Sequence, residues 1–352
     1  MRLVMPLLLL MSGCVPALDA QTWLITGPRL LAVRANPAEA APGKKLELQA
    51  LVVGPTGEIA GSPLNWAACS ARPPLAQQAP VAATCLTDEG QQIQPIADSA
   101  TATWSVPNDV CGQFGPNPPV SVDGGPAGRP ADPDETGGWY APIRVEGPSA
   151  SSDIDFFRVR LRCPLAGTTQ QQSADFQQAY RTNAPPQLAG LFLQRATGTE
   201  LAVDVTAVVT LQPGETVTWR ASWPDCGDHA VCGDGHCDVD ERLSLSPPDP
   251  TLVACKADCQ KPQGCGGAER YLRFDATSRA LVIQREALST AFYTTAGTLS
   301  DPSVGRTSGD PGTDVRTGFT APATPGTVWL WLVLRDDRGG IGWQGWQVSI
   351  HP

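Results

Sequence analysis

Lysine and histidine are scarce in this chain of 352 residues, whose 25 basic side chains are nearly all Arg. It has four lysines (Lys44, Lys45, Lys256, Lys261) and three histidines (His229, His236, His351), against 35 acidic residues and a net charge of −10. Phosphate backbones are held by clustered Lys and Arg, so this balance argues against nucleic acid as a partner. The excess of Arg over Lys reads as codon usage, not as a binding signature. No H-E-x-x-H helix, G-x-S-x-G elbow, P-loop or Rossmann glycine pattern is present, which removes the familiar hydrolase and nucleotide signatures. Asp153 and Asp155 would serve glycoside hydrolysis only if a cleft gathered them, and solvated loop acids are the commoner case. Long apolar runs are missing as well. Beyond residue 14 the most apolar stretch, Thr327 to Leu334, stops at Arg335, well short of the roughly 20 residues that a membrane-spanning helix needs.

Glycine, proline and cysteine are plentiful, with 35, 34 and 11 copies. The chain begins with a lone Arg2, an apolar run from Leu3 to Met11, and then Met11-Ser12-Gly13-Cys14. A basic start, a short apolar core and small residues describe an export signal. These residues resemble the lipobox of bacterial lipoproteins. The resemblance implies a leader over 1–13, lipid on Cys14, a tether over 14–26, and a membrane as partner through that lipid. Val15 at the following position implies the outer membrane of a Gram-negative cell. Setting Cys14 aside leaves ten cysteines, as expected for disulfides in an oxidising compartment. Cys69, Cys85, Cys111 and Cys163 lie in the first half; Cys226, Cys232, Cys237, Cys255, Cys259 and Cys265 lie in the second. Each set is even, and the pairing within it is open.

The apolar pattern has a period of two, broken at Gly, Pro, Asn and Asp, which predicts an all-β fold. Leu46, Leu48, Ala50 and Val52 share one face of a strand, and Phe157, Val159 and Leu161 alternate with Arg158, Arg160 and Arg162. Residues 112–138 are so rich in Gly and Pro that they read as a long loop. Proline-bearing residues 181–186 divide a first unit, 27–183, from a second, 184–352, whose strands include 202–210, 270–274 and 280–284. The closing strands 327–334 and 341–350 flank an Asp- and Gly-rich turn and read as a hairpin, with Gly345 as a bulge that switches faces.

The segment TVWLWLVLRDDRGGIGWQGWQVSI resembles the end of immunoglobulin-like and polycystic-kidney-disease-type domains, and NPAEAAPGKKLELQALVVGPTGE resembles the opening of bacterial immunoglobulin-like surface domains. The chain as a whole is similar to surface lipoproteins of myxobacteria and their relatives. The resemblance implies two immunoglobulin-like β-sandwiches with long loops, the second carrying a disulfide-rich insert over 225–266. That insert resembles the C-G-D-G-x-C-D-x-x-E…C-x-x-D-C motif of extracellular bacterial proteins, with a longer gap before Cys255. Three roles stand open for it. It would be a disulfide staple; a calcium loop using Asp234, Asp238, Asp240 and Glu241; or a zinc site on Cys232, His236 and Cys237, with His229 in reserve.

Trp329 and Trp331 share a face opposite Val328, Leu330, Leu332 and Leu334. If the aliphatic set is core, an aromatic stripe faces outward and would stack on sugars or anchor a protein; the alternative is a strand buried on both faces. The sequence therefore points to a lipid-anchored envelope protein with a binding, adhesion or structural role, its partners an envelope protein or polysaccharide. A polysaccharide-active or accessory enzyme is the other reading.

Overall fold

The computed structural model describes residues 21–71, 81–87, 92–114, 138–147, 154–165, 167–227, 232–233, 235–239, 257–259, 264–275 and 277–352. The first unit contains β1 (Arg29–Asn36), β2 (Glu39–Ala40), β3 (Lys45–Gly54), β4 (Gly57–Glu58), β5 (Leu64–Cys69), β6 (Ile93–Ser99), β7 (Thr101–Ser105), a short helix α1 (Val110–Phe114), β8 (Gly138–Glu146) and β9 (Ile154–Arg162). One sheet runs β1-β3-β4 with β7 on β3, and the other runs β2-β9-β8-β5-β6. Their inner faces meet over Leu46, Leu48, Trp66, Ile143, Val145 and Leu161, a sandwich core of alternating residues from both sheets.

After helix α2 (Gln170–Ala179) come β10 (Gly190–Arg195), β11 (Leu201–Val203), β12 (Val209–Leu211), β13 (Thr216–Ser222), β14 (Arg270–Asp275), β15 (Ala280–Arg285), β16 (Leu288–Thr294), β17 (Thr298–Leu299), β18 (Ser303–Arg306), β19 (Asp314–Thr320), β20 (Gly326–Asp336) and β21 (Ile341–Ile350). The sheets β11-β10-β13-β19-β17 and β12-β21-β20-β16-β18 enclose a second core around Trp219, Phe292, Phe319 and Trp346. Two β-sandwiches are thus the architecture. The stretch expected as one strand over 202–210 is two short strands, β11 and β12, placed in opposite sheets.

A third, smaller unit was not anticipated. β14 and β15 pair only with each other, so they lie outside the second sandwich, to which their sequence had assigned them. Their apolar face, Leu272 and Phe274, packs with Leu165, Phe176, Tyr180 and Val239 against α2. A capping box starts α2: the Gln172 amide donates to Thr169 Oγ1 at 3.2 Å and the Thr169 amide donates to Gln172 Oε1 at 2.9 Å.

The two sandwiches meet along an apolar seam. A register shift in β1 between Leu30 and Ala32 turns both Leu31 and Ala32 outward, beside Leu51 and Val53 of β3. Against them lie Trp331 and Val333 of β20, with Trp329, Ile341 and Trp343 at the margin. Trp331 is 1% exposed, and its ring stacks on that of Trp329 at a centroid distance of 6.1 Å. Arg34 lies over the Trp343 ring at 4.5 Å, and Arg335 donates to the Leu31 carbonyl at 3.0 Å. Of the two readings of Trp329 and Trp331, burial of the strand on both faces is the one found and the outward stripe is corrected: the first sandwich covers it. Gly345 is no bulge either. The β20–β21 register is unbroken, and Gly345 faces Trp331, whose Cδ1 would lie 2.8 Å from an added Cβ. Ile341 and Trp343 point to the seam, whereas Trp346, Val348 and Ile350 point to the core.

The expected tether also ends sooner than drawn. Ile25 donates to the Thr294 carbonyl at 2.9 Å, Thr294 donates to the Trp23 carbonyl at 3.0 Å, and Ile25 is buried in the seam. The first described residues therefore lock onto β16 of the second sandwich.

Replacing a fully buried tryptophan with alanine removes its apolar contacts and leaves a cavity. Trp331→Ala should lower stability by about 3–5 kcal/mol in denaturant unfolding, whereas an outward Trp331 would give a change below about 0.5 kcal/mol.

Candidate functional site

Among the described residues, the largest concentration of buried charge lies where the two sandwiches and the small unit converge. Arg338, in the turn between β20 and β21, is 1% exposed. Its guanidinium donates to the Arg181 carbonyl at 2.6 Å, to the Tyr180 hydroxyl at 3.1 Å and to Glu286 Oε1 at 3.1 Å. It also faces the Tyr271 ring at 4.8 Å. Tyr180 in turn donates to Glu39 Oε2 at 2.7 Å, and Arg160 Nε donates to the same oxygen at 2.9 Å. Glu39 and Arg160 belong to the first sandwich, Tyr180 and Arg181 to the linker, Glu286 to the end of the small unit, and Arg338 to the second sandwich. Arg160 read as a solvent-facing partner of Arg158 and Arg162. Only Arg158 and Arg162 are exposed, because Arg160 lies under this junction.

Asp336 holds the turn that presents Arg338. Its Oδ1 accepts from the amides of Arg338 at 2.9 Å and Gly340 at 2.7 Å, and Asn183 Nδ2 donates to Oδ2 at 3.1 Å. A Cβ on residue 340 would fall 2.1 Å from Asp336 Oδ2, so only glycine closes the turn this tightly. Glu269 accepts from the Cys265 amide at 2.6 Å and lies 3.6 Å from Arg181, tying the insert to the same place. Four carboxyls (Glu39, Glu269, Glu286, Asp336) thus face three buried guanidiniums (Arg160, Arg181, Arg338). Desolvation, with Asp336 nearby, pushes the Glu286 carboxyl well up, and desolvation lifts Asp336 to about 6. Burial likewise raises Tyr180, which stays protonated and acts as a hydrogen-bond donor to Glu39.

In the cysteine-rich insert, Cys226–Cys265 closes the base and Cys237–Cys259 lies within; Cys232 is disulfide-bonded as well. The zinc reading on Cys232, His236 and Cys237 is thereby corrected, because a disulfide sulfur is not a thiolate ligand. Of the acids proposed for calcium, Asp238 is nearly buried and pairs with Arg270 at 3.4 Å. Asp234, Asp240, Glu241, Cys255 and His229 lie outside the described residues. An acid not singled out, Asp258, organises the C-G-D-G loop: it accepts from the Gly233 amide at 2.5 Å and the Gly235 amide at 3.2 Å. In the first half, Cys69 pairs with Cys85 and Cys111 with Cys163. Asp155 is exposed on β9, while Asp153, Cys14 and most of the 112–138 loop lie outside the described residues.

The junction gives an inverted acid response. The folded carboxyl of Asp336 titrates near 6, above the 3.8 of an ordinary aspartate. The folded state therefore holds the proton more tightly, and this group's stabilisation is present at low pH and lost as pH rises from about 4 to about 6. The difference amounts to on the order of 3 kcal/mol. Unfolding free energies measured from pH 4 to 7 should fall through this window in the wild type and fall less in Asp336→Asn; identical pH profiles would contradict the assignment.

No family model and no curated protein matches the chain. Solved structures similar to it include the Yersinia pseudotuberculosis adhesin InvE, at 8% identity over 91% of this chain and 58% of that one, with a TM-score of 0.20. Domains 4 and 5 of the S-layer protein SbsC align at 7% identity over 92% of this chain and all of that one, TM-score 0.18. Dimeric latent PorU from Porphyromonas gingivalis aligns at 11% identity over 92% of this chain, TM-score 0.18. The chain spans 58% of the adhesin's length and 34% of PorU's. Likenesses this weak carry no argument about the site, which rests on this chain's own residues.

Proposed function

We propose that this chain is a lipid-anchored cell-envelope protein whose task is binding or structural, in the manner of the surface lipoproteins its sequence resembles. The observation that carries the reading is the oxidised state of its cysteines. All nine cysteines among the described residues are disulfide-bonded, as suits a compartment outside the cytosol. Supporting it, the buried charges join units to one another: Glu39, Tyr180, Glu286 and Arg338 come from separate parts of the chain and meet only in the assembled molecule. Such a body is a rigid support for exposed surfaces. The outer face of the β10–β13–β19 sheet presents one, a ladder of Glu200, Arg220, Asp314 and Arg316. The insert presents another, as a disulfide staple or, with Asp234, Asp238, Asp240 and Glu241, as a calcium-ordered loop. Partners of the envelope class, protein or polysaccharide, fit this reading, with lipid on Cys14 as the membrane attachment and the outer membrane as its place.

Metabolic labelling with a palmitate analogue tests the anchor. The full chain expressed in a Gram-negative host should incorporate the label and partition into detergent, and Cys14→Ser should abolish both while leaving the disulfides intact. An unlabelled wild-type chain in the aqueous phase would overturn the anchored reading.

A further inference from the structure

Beside the junction, between the end of β9 and α2, lies a cavity of about 590 Å³. Its walls are apolar, made by Pro42, Leu165, Phe176 and the Cys111–Cys163 disulfide, and Tyr180 closes its inner end. Helix α2 supplies Ser173, Phe176, Gln177 and Tyr180 at the spacing that places side chains on one helix face. Arg162 stands at the mouth, exposed, its guanidinium 5.9 Å from the Tyr180 ring centre.

Volume, lining and charge together specify a ligand class. Small-molecule sites occupy about 300–1,000 Å³ and combine apolar walls with a few placed polar groups. Arg160, Arg181 and Arg338 are each engaged with a carboxylate. Arg162 has no ion pair and no side-chain hydrogen bond among the described residues, in a chain whose net charge is −10. An unpaired guanidinium fork over an apolar slot is complementary to a carboxylate or sulfate carried on a hydrocarbon body.

We propose that this groove binds a small anionic amphiphile, with its alkyl or aryl body along Leu165 and Phe176 and its head group on Arg162. A cationic amphiphile of the same length meets the same walls but a repelling charge. Tyr180 lines the groove and donates to Glu39 within the junction, so a bound ligand would also stabilise the contact between the sandwiches.

Calorimetry on the full oxidised chain with sodium decanoate, beside decyltrimethylammonium, tests the site. Decanoate should bind saturably at one site and raise Tm. The cationic analogue should bind at least tenfold more weakly. Arg162→Glu, an exposed change that leaves the fold intact, should weaken decanoate at least tenfold, and Gln177→Trp, which fills the mouth from α2, should abolish its binding. Absence of saturable decanoate binding, equal affinity for the two amphiphiles, or indifference to Arg162→Glu would each overturn the assignment.

Discussion

The rest of the molecule is arranged around the buried guanidinium of Arg338. An isolated buried charge is expensive, and breaking a buried pair by deleting one partner typically destabilises by about 3–5 kcal/mol. Here the partners come from the linker, through Tyr180 and the Arg181 carbonyl, and from Glu286 at the end of the small unit. Glu39 of the first sandwich lies 3.8 Å away and is bridged through Tyr180. No single unit satisfies this group, so the charge is tolerable only when all of them have assembled. Such networks add little to net stability compared with an apolar core. Their contribution is to admit one arrangement, because any other leaves a buried charge without its hydrogen bonds.

The apolar seam supplies what the charge network does not. The second half of β3, from Leu51 to Gly54, and the centre of β20 are buried on both faces, one side against their own sandwich and the other against the neighbouring one. Seam and junction are neighbours on the same hairpin, since Trp331, Val333, Ile341 and Trp343 lie in β20 and β21 and Arg338 is in the turn between them. Motion of one sandwich against the other would expose Trp331 and strip partners from Arg338 together. Ile25 adds the N-terminal segment to the same seam.

Much of the fold was legible because period-two patterning follows from one-sided burial, and most long strands fall where that pattern placed them. The failures share a cause. Leu31, Leu51, Trp331 and Trp343 are apolar on the face that a lone sandwich leaves to solvent, and in a sequence an interface between units looks the same as a ligand-binding stripe. Arg160 alternates like an exposed residue and is buried by residues twenty or more positions away in the chain, Glu39 and Tyr140 among them, which no local pattern encodes. The small unit does carry a local signal: Thr169-Gln170-Gln171-Gln172 is a capping box, and Phe176, Ala179 and Tyr180 follow at helical spacing. In the insert, the cysteines pointed correctly to a disulfide unit, but the spacing of Asp238 and Asp258 could not reveal that the first pairs with Arg270 and the second holds two glycine amides.

The central claim is that seam and junction fix the two sandwiches as one body. Residual dipolar couplings of backbone amides in a weakly aligned sample test it most directly. A single alignment tensor fitting β1–β9 and β10–β21 together is the predicted result. Two tensors of clearly different magnitude, one for each sandwich, would show independent motion and contradict the account.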